Sequence, residues 1–98
     1  MELSGRYIGY RLRDARKRMH LSQDQVKRAL GFRSANRISQ WENGTRVPGV
    51  RNLIKLSTLY KTPTEELFYE MRQEAVTSID RFMKEEYADK DRPKERPP

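Results

Sequence analysis

This 98-residue chain has no cysteine, one histidine and one tryptophan. Without cysteine there can be no disulfide, no thiolate metal site and no cysteine nucleophile. His20 alone is too little for a zinc centre or a histidine-based catalytic site. No apolar run approaches the roughly 20 residues that a bilayer-spanning helix needs, and Met1-Glu2-Leu3 does not open like a secretory leader. The expectation is a soluble cytoplasmic chain with no membrane partner. The acids are scattered, no nucleophile–base pair stands out and no glycine-rich phosphate loop is present. No catalytic residue, metal or cofactor is assigned, and an enzyme is the weakest functional class.

Positive charge is abundant, and it is unevenly placed. Residues 1–61 carry 14 Lys/Arg against 4 Asp/Glu, whereas residues 62–98 carry 7 against 10. A basic domain followed by a mildly acidic extension points to a polyanion, nucleic acid foremost, as partner of the first part. The length suffices for one small domain with a modest core.

No segment alternates with period two for long enough to make a strand, so the chain reads as all-α. Ile8, Leu12, Ala15 and Met19 form one stripe on a helix over about residues 4–19, with Arg11, Arg13, Lys17 and Arg18 outside it. Ser22-Gln-Asp-Gln25 is a capping box for a second helix, with Val26, Ala29 and Leu30 inward and Gly31 as its stop. Ser34 is the expected N-cap of a third helix ending at Asn43-Gly44. Pro48 precedes a fourth, over about residues 49–60, with Val50, Leu53, Leu56 and Tyr60 inward. Thr62 is the expected N-cap of a fifth, with Pro63 in its first turn. The helical pattern then runs on unbroken. Phe68, Met71, Ala75, Ile79 and Phe82 share a stripe to about Tyr87, flanked by Val76 and Met83. The expected organisation is residues 1–69 as a folded domain, 70–88 as an amphipathic dimerisation or partner helix, and 89–98 as a disordered tail.

Two short helices joined by a tight turn, the second opening on small, polar and basic side chains, can place one helix end in the DNA major groove. From Ile8 to Phe68 the chain resembles the phage-repressor/Cro-type helix-turn-helix domain, the xenobiotic-response-element family. The matching residues are Arg16, Leu21-Ser22-Gln23, Gly31, Ile38-Ser39, Trp41-Glu42, Gly44, Pro48, Leu53, Leu56 and Glu66-Leu67-Phe68. Each alone is weak; their joint order across five helices is specific. The resemblance implies a compact five-helix domain, here with a C-terminal helical extension, that binds double-stranded operator DNA, usually as a homodimer, to regulate transcription.

Carried over by position, the third helix reads DNA. Ala35, Asn36 and Arg37 face base edges, and Gln40 does so one turn later. Asn and Gln suit adenine, Arg suits guanine, and Ala can meet a thymine methyl. Gln23, Arg33, Ser34, Thr45 and Arg46 are the expected phosphate contacts, the first and third aided by free N–H groups at helix starts. Arg11, Arg13 and Lys17 add electrostatics only. Arg16 and Glu42 form the family's structural ion pair, and Ile38 and Trp41 are core. Two departures stand out. Lys27 replaces the usual alanine, its stem directed outward. The turn between Gly31 and Ile38 holds one residue more than the common spacing, filled by Phe32-Arg33, so the resemblance fixes the first-turn reader positions only to within about one residue.

The expected function is a sequence-specific transcriptional regulator on a palindromic operator, in a bacterial or phage nucleoid setting, with the Phe68–Phe82 stripe as dimer element. The alternative is an antitoxin or regulatory adaptor whose C-terminal helix binds a protein partner, with DNA binding as autoregulation. RNA is less favoured, because no exposed aromatic platform is evident.

Overall fold

The computed structural model describes residues 4–88 and, among these, contains six helices and no strand. The tail over residues 89–98 lies outside the described residues. No helix described is long and apolar enough to cross a membrane.

Helix α1 (Ser4–Arg18) carries three basic residues in its last turn, where they oppose the negative end of the helix dipole. Ile8, Leu12 and Ala15 are buried on one side of it, with Met19 packed against the core just beyond. His20 turns the chain at φ 59°. Helix α2 (Gln23–Leu30) begins with the full capping box: Ser22 Oγ accepts from Gln25 N at 3.1 Å, and Ser22 N donates to the Gln25 side chain at 2.8 Å. It ends at Gly31 in the left-handed conformation, φ 80°, with Phe32 N donating to Lys27 O.

Helix α3 (Asn36–Glu42) buries Ile38, Trp41 and Glu42. Helix α4 (Val50–Tyr60) buries Leu56 and Tyr60 and stops at Lys61, itself left-handed. A single turn, α5 (Thr64–Leu67), buries Leu67 and leads into α6 (Tyr69–Tyr87), which has no buried residue. The ten core hydrophobics come from α1 to α5, and Phe68 and Met71 pack on their edge. The long axis of 57 Å against 28 and 23 Å reflects α6 projecting from the domain.

Several expected details shift. Ala29 is exposed, because α2 is short and only Val26 and Leu30 lie on its inner line. Val50 is 75 % exposed at the open end of α4. The cap of α3 is Ala35 rather than Ser34; the Ser34 hydroxyl still accepts from Asn36 N, at 3.2 Å, from outside the helix. The cap of α5 is Pro63 rather than Thr62, whose buried hydroxyl donates instead to Tyr60 O at 3.0 Å. The pattern after Leu67 is not continuous. Phe68 breaks it at φ −122°, ψ 39°, which separates α5 from α6.

Candidate nucleic-acid interface

Helix α3 is held from behind by a buried polar network. Arg16 donates from Nε to Glu42 Oε2 at 2.7 Å and from Nη2 to Oε1 at 2.9 Å, a two-pronged pair of the strong kind. The third donor, Nη1, reaches Leu21 O at 2.9 Å. Gln23 Nε2 donates to Glu42 Oε1 at 3.1 Å. One carboxylate thus ties together α1, the start of α2 and the end of α3, with Glu42 only 6 % exposed. Hydrogen bonding to the Glu42 carboxylate raises the Arg16 pKa above its ordinary value. Burial pushes the Tyr60 hydroxyl pKa up, and the Glu42 charge adds to this.

Gly9 sets how closely α1 approaches. A Cβ on this residue would lie 2.6 Å from Glu42 O and 2.7 Å from Trp41 O. No side chain fits between the α1 backbone and the last turn of α3. Glycine is required here by contact with α3.

Held in this way, α3 turns its polar edge outward. Asn36, Arg37 and Ser39 are exposed, and Ala35 and Gln40 are half-buried. Asn36 and Gln40 stand four residues apart and share one face. The sole acid of α3 is Glu42, which faces inward, so its outer edge carries no negative charge. Arg33 and Arg46 are exposed on either side. The Thr45 hydroxyl lies 2.8 Å from Asn43 Oδ1 and 3.3 Å from Gln40 O, bracing the turn after α3.

Three expected phosphate ligands, Thr45 together with Gln23 and Ser34, therefore have intramolecular partners, and the single Thr45 hydroxyl hydrogen is directed at Asn43 Oδ1 and Gln40 O. Gln23 spends one amide hydrogen on Glu42 and keeps a second. Ser34 accepts from Asn36 N and keeps its own hydroxyl hydrogen to donate. Lys27 reaches Asp24 at 2.9 Å, and Arg28 reaches the same carboxylate at 3.1 Å. The two cations hold the Asp24 pKa below the usual carboxylate range, Lys27 being the larger cause.

Sequence reasoning missed two features. The Arg37 guanidinium lies 4.7 Å from the centre of the Phe32 ring, and Phe32 in turn meets Trp41 edge-on at 5.9 Å. The turn before α3 thus supplies an aromatic shelf for an α3 cation; an aromatic residue a few positions before a basic helix start is the signal that could have shown it. The second is Arg11, whose expected role was electrostatics alone. It donates to both oxygens of Glu70 at 2.6 and 2.7 Å and stacks on Tyr69 at 5.3 Å. With the partners 59 positions apart in the chain, nothing local signals this tie. Among the described residues, no group of three His, Asp or Glu could hold a metal ion.

The class of protein follows from this geometry and from comparison with known proteins. The helix-turn-helix family matches residues 12–67, more than half of the chain, and the chain belongs to that family, in its phage-repressor/Cro (xenobiotic-response-element) branch. It is 35 % identical over 57 residues to the ImmF control region 10 kDa protein of Bacillus phage phi105, covering 58 % of this chain and 62 % of that one. The chain thus spans less than two thirds of that relative's length. Among solved structures it is similar to the restriction-modification controller protein C.AhdI from Aeromonas hydrophila: 30 % identity, TM-score 0.58, covering 64 % of this chain and 94 % of that one. It is likewise similar to the S. venezulae BldD DNA-binding domain: 29 % identity, TM-score 0.58, covering 66 % and 96 %. The family match ends at Leu67, before α6.

Proposed function

We propose that this protein is a DNA-binding regulator of transcription, of controller or repressor kind, that reads a palindromic operator as a homodimer. The observation that carries the reading is α3 itself. Its inner side is clamped by the Arg16–Glu42–Gln23 network, while its acid-free outer edge presents Asn36, Arg37 and Gln40 between Arg33 and Arg46. A rigid helix bearing adenine- and guanine-reading groups, flanked by cations, suits major-groove readout. Ala35, Asn36, Arg37 and Gln40 are the base-contacting set; Gln23, Arg33, Ser34, Thr45 and Arg46 are the phosphate-contacting set. Residues 1–69 bind DNA and 70–88 pair the copies. The controller and control-region roles named for its relatives fit this reading.

Selection of bound sequences from random duplex DNA tests it. A palindromic motif is expected, with half-sites about one turn apart, and positions within it that change in Asn36→Ala and Gln40→Ala. Salt-sensitive binding with no recoverable motif overturns the reading. A second reading rests on the exposed Val76, Ile79 and Phe82 of α6, outside the family match. There α6 binds a protein partner encoded nearby, as in an antitoxin or adaptor. A purified heteromeric complex of fixed stoichiometry, lost in Ile79→Asp, is its test.

A further inference from the structure

We propose that two copies of this chain pair antiparallel through α6, with Ile79 at the two-fold axis and Arg72 of each copy facing the partner's Glu86. This rests on the homodimer reading above and gives it a geometry.

Helix α6 has one face occupied and one open. Its first turns are fastened to α1 by Glu70, which takes both prongs of Arg11, by Tyr69 under the same guanidinium, and by Met71 against the core. At 100° per residue the opposite face centres on Ile79, with Ala75, Val76, Phe82 and Met83 within roughly 60° of it. Val76, Ile79 and Phe82 are 41 %, 59 % and 55 % exposed. Most of a protein helix's stability comes from tertiary packing of its apolar face, and among the described residues none in the second half of α6 belongs to the core or packs against it.

The charges on that face identify its occupant. Arg72 and Glu86 lie seven residues before and after Ile79, each within roughly 20° of the line through it. Both are exposed. The Arg72 contact with Glu65, at 3.7 Å between two exposed side chains, is a weak surface pair that can exchange. In a parallel, in-register pair Arg72 would meet Arg72 and Glu86 would meet Glu86. Reversing one copy about Ile79 turns both repulsions into attractions. The same reversal brings the small Ala75 beside the partner's large Phe82, and Val76 beside the partner's Met83, where the parallel arrangement sets Phe82 against Phe82. A face that complements itself only under two-fold reversal marks an isologous interface with another copy of the chain.

The arrangement also suits a palindrome. The two domains leave the helix pair at residue 68, and these points fall about 33 Å apart at 1.5 Å per residue. One turn of DNA separates half-sites by roughly 34 Å.

The test is sedimentation of the full chain over a concentration series, with helicity monitored. Wild type is expected to be a dimer, and Ile79→Asp a helical monomer. Arg72→Glu and Glu86→Arg should each weaken dimerisation about tenfold, and R72E/E86R together should restore it to within about threefold. Because the chain has no cysteine, crosslinking gives a second readout. A75C/F82C should form a covalent dimer under mild oxidation, while A75C alone should not. A wild type that stays monomeric, single charge reversals without effect, or efficient A75C self-crosslinking overturns the pairing. Selected palindromic DNA binding that persists despite such a result would leave the regulator reading intact. The expected dimer behaviour with no selected motif would do the reverse.

Discussion

Replacing Glu42 with alanine tests how α3 is held. The substitution deletes an acceptor that receives three hydrogen bonds, two from Arg16 at 2.7 and 2.9 Å and one from Gln23 at 3.1 Å. The larger effect falls on what remains. The Arg16 side chain is 12 % exposed, and it keeps only the bond to Leu21 O among those it makes through its guanidinium. Breaking a buried pair by removing one partner costs about 3–5 kcal/mol, chiefly through the charge left behind. The retained bond and partial water access put this site near the lower end, about 3 kcal/mol. For a domain of this size each kcal/mol moves the midpoint by roughly 4–8 °C, so Glu42→Ala should melt about 12–24 °C below wild type. Asn36→Ala, on the exposed edge of the same helix, should stay within about 0.5 kcal/mol. Thermal unfolding followed by circular dichroism or calorimetry decides it, with Glu42→Gln expected between the two. Equal midpoints for Glu42→Ala and Asn36→Ala would refute the reasoning, because the network would then not be what anchors α3.

Gly9→Ala should destabilise the domain, although alanine is the better helix former by about 0.5–1 kcal/mol. The added Cβ would meet backbone oxygens of Trp41 and Glu42 at 2.7 and 2.6 Å; a variant more stable than wild type in denaturant melts would contradict the close α1–α3 contact. Arg37→Ala should lower discrimination between the selected operator and a guanine-substituted one, with the salt slope nearly unchanged. Phe32→Leu should reproduce part of that loss and Phe32→Tyr little of it. A slope that falls by about 1 with discrimination intact would make Arg37 a phosphate contact instead. Acid should release α6 from α1. The Arg11 hydrogen bond holds the Glu70 pKa below its ordinary value, so the tie stabilises above about pH 4.3 and is lost as pH falls through the lower, folded-state value. The Arg11 Nε–H resonance should report that transition in wild type and show none in Glu70→Gln.

What the sequence made legible was local. The capping box at Ser22 and Gln25, the left-handed stop at Gly31 and the inner stripe of α1 each depend on neighbours within four residues, and each stands where the spacing put it. The break at Phe68 was hidden because Leu67, Phe68 and Met71 keep helical spacing on both sides of it. Seating Leu67 in the core while Arg11 draws Glu70 onto α1 turns the backbone there, and both causes are tertiary. Gly9 reads locally as a weak point in a helix and acts as a point of contact. The turn shows the same division. Its residues could be counted, but their use could not be read, because it depends on Trp41 standing where Phe32 can lean edge-on against it. Once there, the ring restrains Arg37, leaving Asn36 exposed beside it without such a brace. The turn thus gives α3 one held cation and one freer amide on adjacent positions. The unequal response of operator positions to Asn36→Ala, Arg37→Ala and Phe32→Leu measures that difference directly.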